Sequence, residues 1–257
     1  MPTGRGAERA EKLYARVLNE YGDDSVAQLG AAHVARYGAS VEVLIKLLDL
    51  NQRLPVHLHP NREFSRTHLG LAHGKTEAWY VLDAPEGAQV GVGFKKPMSL
   101  AEVSGWVAQR DSDALLGALR TRTVRPGDAM LVPAGLPHTV QSGVFVLELQ
   151  EPTDLSILLE WQGFAVDGAK DGHLDLGFET ALQAVDLSAV ADADLDALVL
   201  PREAIEMDVR LVERLGVRFH FNTSIGTDIA FDQLQKDFDA VAKLQEERAG
   251  VQLRLLE

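Results

Sequence analysis

The stretch Leu54-Pro55-Val56-His57-Leu58-His59-Pro60 contains two histidines separated by one residue, within a segment that we predict to be extended. Successive side chains of an extended chain point to opposite faces. His57 and His59 are therefore expected on one face, and Val56 and Leu58 on the other. Two imidazoles on one face can act as a pair of metal ligands, although such a pair also occurs as a half-buried polar strand edge.

Two later stretches supply residues that favour the metal interpretation. They are Gly74-Lys75-Thr76-Glu77-Ala78-Trp79-Tyr80 and Gly127-Asp128-Ala129-Met130-Leu131-Val132-Pro133-Ala134-Gly135-Leu136-Pro137-His138. Glu77 adds a carboxylate, and His138 adds a third imidazole after a turn-strand-turn frame of glycines and proline. Nitrogen and oxygen ligands of this kind suit zinc, iron, manganese or nickel in a site open to substrate. We predict that His57, His59, Glu77 and His138 form one metal site.

These blocks resemble the two motifs of the cupin barrel, the second of them complete. A longer run resembles the type I mannose-6-phosphate isomerases over about residues 41–161. The matching segments are Leu44-Ile45-Lys46-Leu47-Leu48-Asp49, then residues 55–60, 74–83 and 133–138.

The resemblance implies a fold, an activity and roles for individual residues. The fold would be mainly β, a cupin (double-stranded β-helix or jelly-roll) barrel with a helical insertion. The activity would be the interconversion of mannose 6-phosphate, or a related sugar, and its fructose form through an enediol. The family's metal, usually zinc, is held at positions matching His57, His59, Glu77 and His138, with glutamine more usual at the first. Lys75 matches a lysine of the family's substrate pocket, and Asp154 matches the acidic position of a Ser-Asp segment, so both are candidate catalytic residues.

One departure from the family pattern concerns the phosphate. Four residues after Asp154 the family places an arginine, whereas this chain has Leu158. Unless Arg62, Arg66 or Lys95 replaces it, phosphate loses a bidentate cation. Three histidines and one glutamate are also the ligands of cupin dioxygenases. A cupin dioxygenase and a non-catalytic, metal-stabilised sugar-binding cupin therefore remain as alternatives.

From Val41 onward, apolar runs of strand length alternate with Gly, Pro, Asn and Asp, which predicts a sandwich or barrel. The predicted strands are residues 41–50, 54–59, 79–82, 89–93, 121–124, 129–132, 144–150 and 155–161. Ser99-Leu100-Ala101-Glu102 has the form of a capping box, and the apolar pattern after it predicts a helix that continues to Arg120.

We predict three parts along the chain. They are a helical N-terminal segment (1–40), a cupin metal-binding domain (41–165), and a linker with an α/β C-terminal appendage (166–257); the terminal segments are expected to be α-rich. Residues 6–30 resemble a fragment of flavin-dependent thymidylate synthase, and residues 200–240 a fragment of the glutamate synthase small subunit. Neither fragment carries the motifs needed to bind flavin or dinucleotide.

Composition limits the classes of partner. The 257 residues are 46% hydrophobic, enough for a sizeable core, and their formal net charge of −13 disfavours nucleic acid and acidic lipid. The absence of cysteine excludes disulfides and thiolate chemistry. No apolar run is long enough to span a bilayer, so we expect a cytoplasmic protein. Its expected partner is a small sugar or sugar phosphate, and its oligomeric state is left open.

Overall fold

A computed structural model of the chain describes residues 30–38, 42–199, 233, 241–247 and 250–256. Apart from Gly30 and Gln233, the fragments resembling thymidylate synthase and glutamate synthase lie outside the described residues, and those resemblances stay predictions.

The described chain is rich in short strands. Its strands are β1 Leu44–Asp49, β2 His57–Leu58, β3 Glu77–Asp83, β4 Gln89–Phe94, β5 Leu119–Thr123, β6 Ala129–Val132, β7 His138–Val140, β8 Phe145–Gln150 and β9 Ile157–Leu158. Its helices are α1 Ala31–Tyr37, α2 Arg62–Phe64 with the π-helical turn Ser65–Leu69, α3 Leu100–Gln109, α4 Ser112–Ala118, α5 Gly168–Asp171, α6 Phe178–Ala181 with the 3₁₀ turn Leu182–Ala184, and α7 Asp192–Ala197. Strands β10 Val241–Glu247 and β11 Gly250–Leu256 pair as a hairpin.

The first nine strands form two antiparallel sheets, which confirms the predicted mainly β architecture. One sheet has the order β1-β8-β3-β6, and the other has the order β5-β4-β7-β2-β9. The predicted strand at 54–59 is reduced to two paired residues, because Pro55 and Pro60 have no N–H to donate to a ladder. Strand β7, which follows Pro137 directly, is too short for the sequence pattern to have predicted it.

Side chains alternate between the two faces of each strand, and this alternation keeps the buried histidines apart from the apolar core. One hydrophobic cluster fills the space between the sheets, with Trp79, Val90, Val92, Val132, Val140 and Val146 among its buried members. On β2 the alternation is the predicted one. Val56 and Leu58, both fully buried, join a second cluster, whereas His57 and His59 lie together with His138.

The second hydrophobic cluster joins the helical insertion to the β2-containing sheet. Val103, Val107 and Leu115 of the insertion pack in the same cluster as Val56 and Leu58. The capping box is confirmed, since Ser99 caps α3 and Glu102 bonds back to the Ser99 backbone.

The prediction of one helix to Arg120 was wrong. The insertion breaks at Arg110, which has a left-handed φ of 56°, and Asp111 then caps α4. The backbone turns into β5 at Leu119, because pairing with β4 replaces the helical bonds there. Apolar spacing alone could not reveal this break, because both helices bury residues of the same periodic series.

The helical segment after residue 165 packs on the barrel. The Phe178 ring stacks on the Trp161 ring at 5.5 Å between centroids, and Leu182 lies in the same cluster as Leu58. Val199 bridges Met130 at the edge of β6. These contacts join the described residues after 165 to the two sheets, and the division of the chain into three parts stays a prediction.

Within the described residues, no helix is both long enough and apolar enough to cross a membrane.

Candidate metal centre

Three histidines converge inside the barrel from two neighbouring strands and the loop after β2. His57 and His138 are direct partners across the β2–β7 pair, and His59 follows β2 at the next position of the same face. One ring nitrogen from each of the three lies within 4.8 Å of the others. The two separate sequence blocks therefore meet, because antiparallel pairing places residues that are far apart in sequence opposite each other.

Hydrogen bonds to the backbone fix which nitrogen of each ring faces the cluster. The Nδ1 atoms of His57, His59 and His138 lie 2.8, 2.7 and 2.8 Å from the carbonyl oxygens of Pro55, Leu155 and Leu136. A carbonyl can only accept, so each Nδ1 carries the proton and each Nε2 keeps its lone pair. Histidines that bind a metal commonly donate their other ring N–H to a carbonyl in this way.

Glu77, the first residue of β3, brings a carboxylate to the same cluster. Its Oε2 lies 3.0 Å from His59 Nε2, and its Oε1 lies 3.4 Å from His138 Nε2. The Trp79 indole N–H donates to Oε1 at 2.8 Å and holds the carboxylate in place. The arrangement is thus three imidazole nitrogens and one oriented carboxylate.

Burial controls the protonation of this cluster. Burial lowers the pKa of His57, His59 and His138 to about 3, so all three are neutral at physiological pH. Burial alone would raise the pKa of Glu77, but its charged surroundings, with the Lys75 ammonium in contact with it, outweigh burial and hold that pKa well below its ordinary value. Neutral imidazoles and an ionised carboxylate are the forms that bind metal.

Two observations support the interpretation of this donor set as a cation site. The Nε2 of His138 is buried and has no hydrogen-bond partner, which is costly unless another group uses its lone pair. The Lys75 ammonium is placed against Glu77 Oε2 and lies 2.8 Å from His59 Nε2, so a positive charge already sits beside these atoms. The cluster is one that attracts a cation.

Charged residues continue the polar region from Lys75 along the barrel wall. Glu148 of β8 lies 3.7 Å from Lys75 Nζ and 3.8 Å from Lys46 Nζ. Lys46 in turn bonds to Asp154 at 2.6 Å. Burial raises the pKa of Glu148 to about 7, against the lowering effect of Lys75. Asp154 is therefore joined to Lys75 through Lys46 and Glu148, and its recorded contact is with Lys46 rather than with the histidines.

Sequence analysis did not single out Glu148 or Lys46, which the structure places in the charged region next to the cluster. Both occupy inward positions of β8 and β1 and are direct partners across that pair. The available signal was the alternation of β8, in which Val146, Glu148 and Gln150 share the buried face. Charged and amide side chains at positions where a strand should be apolar mark either a site or a buried ion pair.

Leu158 lies opposite His57 in the pairing of two strands. It pairs directly with His57 across β2 and β9, and directly opposed residues of an antiparallel pair project from the same face. Only 6% of Leu158 is exposed. Leu158 is also a member of the second hydrophobic cluster, so the position that sequence analysis matched to the family's arginine is buried and apolar in this chain.

Gly74 lies in the segment that leads into β3, where two stretches of backbone pass close to each other. A Cβ on Gly74 would lie 2.6 Å from the Pro60 carbonyl oxygen and 2.8 Å from the Arg62 nitrogen, both backbone atoms. Only glycine fits where the segment before Glu77 crosses the segment after His59. This close approach explains why the Gly74-Lys75-Thr76-Glu77 block begins with glycine.

We expect Gly74→Ala to lower the free energy of unfolding by about 1–3 kcal/mol, because the backbone on both sides must shift. Gly105→Ala is the matched control, since Gly105 lies in α3 and a Cβ there meets nothing within 4 Å. That control should be neutral or stabilised by up to about 1 kcal/mol. Urea unfolding of both variants measures the difference, and equal stabilities would contradict the role of Gly74.

The two antiparallel sheets with histidines between them are the fold of a cupin. Among solved structures, the chain is similar to the mannose 6-phosphate isomerase of Bacillus subtilis, with 25% identity and a TM-score of 0.51 over 64% of this chain and 51% of that chain. It shares the fold of a putative mannosephosphate isomerase from Archaeoglobus fulgidus, with 21% identity and a TM-score of 0.50 over 66% and 52% of the two chains.

Two curated relatives of known sequence are also named mannose-6-phosphate isomerases. Mannose-6-phosphate isomerase ManA of Bacillus subtilis (strain 168) is 33% identical over 122 residues, which is 48% of this chain and 38% of the relative. Mannose-6-phosphate isomerase of Streptococcus mutans is 36% identical over 131 residues, or 49% and 40%. The chain thus spans about two fifths of the length of these relatives.

No family model matches the chain. A stretch of 42 residues is 43% identical to the NADP(+)-dependent formate dehydrogenase subunit beta of Moorella thermoacetica and covers 6% of that protein.

Proposed function

We propose that this protein is a metal-dependent aldose-ketose isomerase that acts on mannose 6-phosphate or a closely related sugar. The observation that carries the proposal is the meeting of three neutral histidines, an oriented carboxylate and the Lys75–Glu148 pair inside one barrel. The similarity to mannose-6-phosphate isomerases supports the reaction class.

We assign His57, His59, Glu77 and His138 as the ligands of the metal, with zinc as the first candidate. Four nitrogen and oxygen ligands of this kind are compatible with zinc, and also with manganese, iron or nickel. A divalent ion bound there supplies a Lewis acid that stabilises negative charge developing on a sugar oxygen. The protein supplies the orientation of the ligands through the carbonyl groups that hold each Nδ1.

We assign proton transfer to the charged residues next to the metal ligands. Isomerisation removes a proton from one of C1 and C2 and returns it to the other, so one group must take and release it. Glu148 is 4% exposed and lies between two lysines, where it can exchange a proton without competition from bulk water. Lys75 donates to the reacting oxygens, and Asp154 positions Lys46 beside Glu148.

The test is turnover of mannose 6-phosphate and of mannose by zinc-loaded protein in D₂O, followed by NMR. Conversion to the ketose, with deuterium entering at C1 or C2, is the expected result. Glu148→Gln and Lys75→Met should lower kcat by about 100- to 10,000-fold, the range for loss of a general acid or base, while bound metal stays near the parent level. Metal-loaded, folded protein that converts neither sugar would refute the isomerase.

A further inference from the structure

We propose that residues 201–216, which lie outside the described residues, form an amphipathic helix that packs across the outer face of the β1-β8-β3-β6 sheet. By the outer face we mean the face turned away from the second sheet. This placement is independent of the reaction proposed above. It follows from an exposed apolar surface on this sheet, from the two points between which the chain must connect, and from the sequence of that connection.

The outer face is apolar across all four strands. One row of directly opposed residues crosses the sheet as Ile45, Leu149, Ala78 and Leu131. The next row on the same face is Leu47, Leu147, Tyr80 and Ala129. Opposed residues of antiparallel strands project from one face, and residues two apart along a strand share that face. An antiparallel sheet face that remains in water normally carries polar residues, whereas these two rows carry no charge.

Much of this face is exposed in the structure. Ile45 is 55% exposed, Leu149 38% and Leu131 37%. None of the eight described residues in the two rows belongs to either hydrophobic cluster. Single exposed leucines are ordinary on a protein surface, but a contiguous apolar face over four strands indicates a contact surface.

The described chain leaves this sheet at one edge and returns at the other. The two edge strands are β6 and β1. The Leu131 N–H donates to the Leu198 carbonyl at 2.8 Å, which holds the last residues before position 200 on β6. The hairpin that starts at Val241 lies beside β1 through its strand β11. Residues 200–240 must therefore connect the two edges, and the inner face of the sheet is already filled by the hydrophobic cluster between the sheets.

The sequence of this connection predicts a helix with one apolar side. Pro201 suits the first turn of a helix, and Gly216 suits its end. At 100° per residue, one side of the predicted helix holds the apolar residues Ile205, Met207, Val209, Leu211, Val212 and Leu215. The other side holds the charged residues Arg202, Glu203, Glu206, Arg210, Glu213 and Arg214. Asp208 is the one charged residue on the apolar side.

The dimensions of the predicted helix and of the sheet agree. A helix over residues 202–215 would be about 21 Å long at 1.5 Å per residue. Four strands at a spacing of about 4.8 Å span about 14 Å, so the helix would reach from one edge of the sheet to the other. Packing a helix on a sheet buries the apolar side of both, and residues 217–240 then lead to the hairpin.

Cross-linking tests this placement in the full-length protein, because the chain contains no cysteine. The pair Leu149→Cys and Val212→Cys is treated with a short bifunctional maleimide. We expect a cross-link within one chain, formed at least about tenfold faster than in the control pair Leu149→Cys and Arg210→Cys, whose second cysteine lies on the charged side of the predicted helix. Circular dichroism checks that both variants fold.

Two results of the cross-linking would overturn the proposal. Cross-links between two chains would show that a second copy of the protein covers the outer face. Equal rates for the Val212→Cys and Arg210→Cys pairs, or no cross-link in either, would show that this helix does not lie on the sheet.

Lysine substitutions provide a second measurement. Leu149→Lys and Leu71→Lys introduce the same charge at leucines that are 38% and 37% exposed, and Leu71 lies after the π-helical turn rather than on the sheet. If the helix covers the outer face, Leu149→Lys lowers the urea midpoint more than Leu71→Lys does. Combining it with Val212→Lys should then lower the midpoint by less than the sum of the two single effects, because both substitutions disrupt the same contact. Equal midpoints for the two leucine variants, or additive effects, would contradict the contact.

Discussion

Replacing His59 or Glu77 by alanine is expected to abolish metal binding and to lower turnover by at least about a thousandfold, the largest effect that the structure predicts. His59 Nε2 and Glu77 Oε2 lie 3.0 Å apart and belong to the same proposed ligand set. Loss of one ligand removes a coordinating atom, and it also removes the partner that orients the other. Metal content by mass spectrometry of protein purified with zinc measures the effect directly.

Matched controls separate ligand loss from a general effect of the substitution. His68→Ala makes the same chemical change at an exposed histidine that packs on Phe64 outside the cluster. Glu86→Ala does so for a glutamate in an exposed turn. Both should keep about one metal ion per chain, as in the parent. If His59→Ala and Glu77→Ala retain metal as well, the assigned ligand set is incorrect.

Replacing Glu160 by leucine should produce the largest loss of stability. Glu160 is fully buried and accepts from the Arg53 guanidinium and, at 2.9 Å, from the Val56 N–H. Leucine would leave that N–H buried and unsatisfied and Arg53 without its partner. We expect a cost of about 2–4 kcal/mol, below the range for a fully enclosed pair because 28% of the Arg53 side chain is exposed.

Glu160→Gln is the control for this prediction. It keeps an acceptor for Val56 and loses only the charge, so its cost should be about 1–2 kcal/mol. Urea unfolding of the two variants and the parent measures the difference. Because Val56 precedes His57, the leucine variant should also bind metal more weakly. Equal stability of the two variants would show that the Val56 hydrogen bond contributes nothing.

The same residue gives a pH dependence with a definite sign. Burial alone would raise the pKa of Glu160, but hydrogen bonds from the Arg53 guanidinium and the Val56 N–H hold it below its ordinary value. A carboxyl whose folded pKa is depressed stabilises the fold above its unfolded pKa, and that contribution disappears as the pH falls through the folded value. Between neutral and acid pH, Glu160→Gln should therefore lose less stability than the parent.

The proposed ligand residues could be predicted from sequence because each lies in a local pattern. His57 and His59 are two residues apart on a strand, and strand periodicity alone places them on one face. His138 is held in a block of glycine and proline whose backbone requirements are also local, whereas Gly74 of the Glu77 block is required by the close approach of the segment after His59. The capping box at Ser99 is a further example, since its hydrogen bonds join residues three apart.

The residues that sequence analysis missed are defined by pairing between distant strands. Glu148 lies beside Lys75 only because β8 is placed between β1 and β3. Glu160 accepts a hydrogen bond from the Val56 N–H just before β2, and the two residues are 104 positions apart in sequence. In each case the sequence shows a charged residue among apolar neighbours, which marks a buried charge but does not identify its partner.

The amino-acid sequence by itself determined the strand-rich fold, the faces of β2 and the identity of the candidate metal-binding residues, because alternation, turn chemistry and capping depend on neighbours a few residues away. Only the tertiary structure decided which nitrogen of each histidine faces the cluster, which carboxylate neutralises each lysine, and what stands opposite His57. Those properties depend on strand register and burial, and both arise when segments about 80 to 100 residues apart are brought together by the pairing of β2 with β7 and β9.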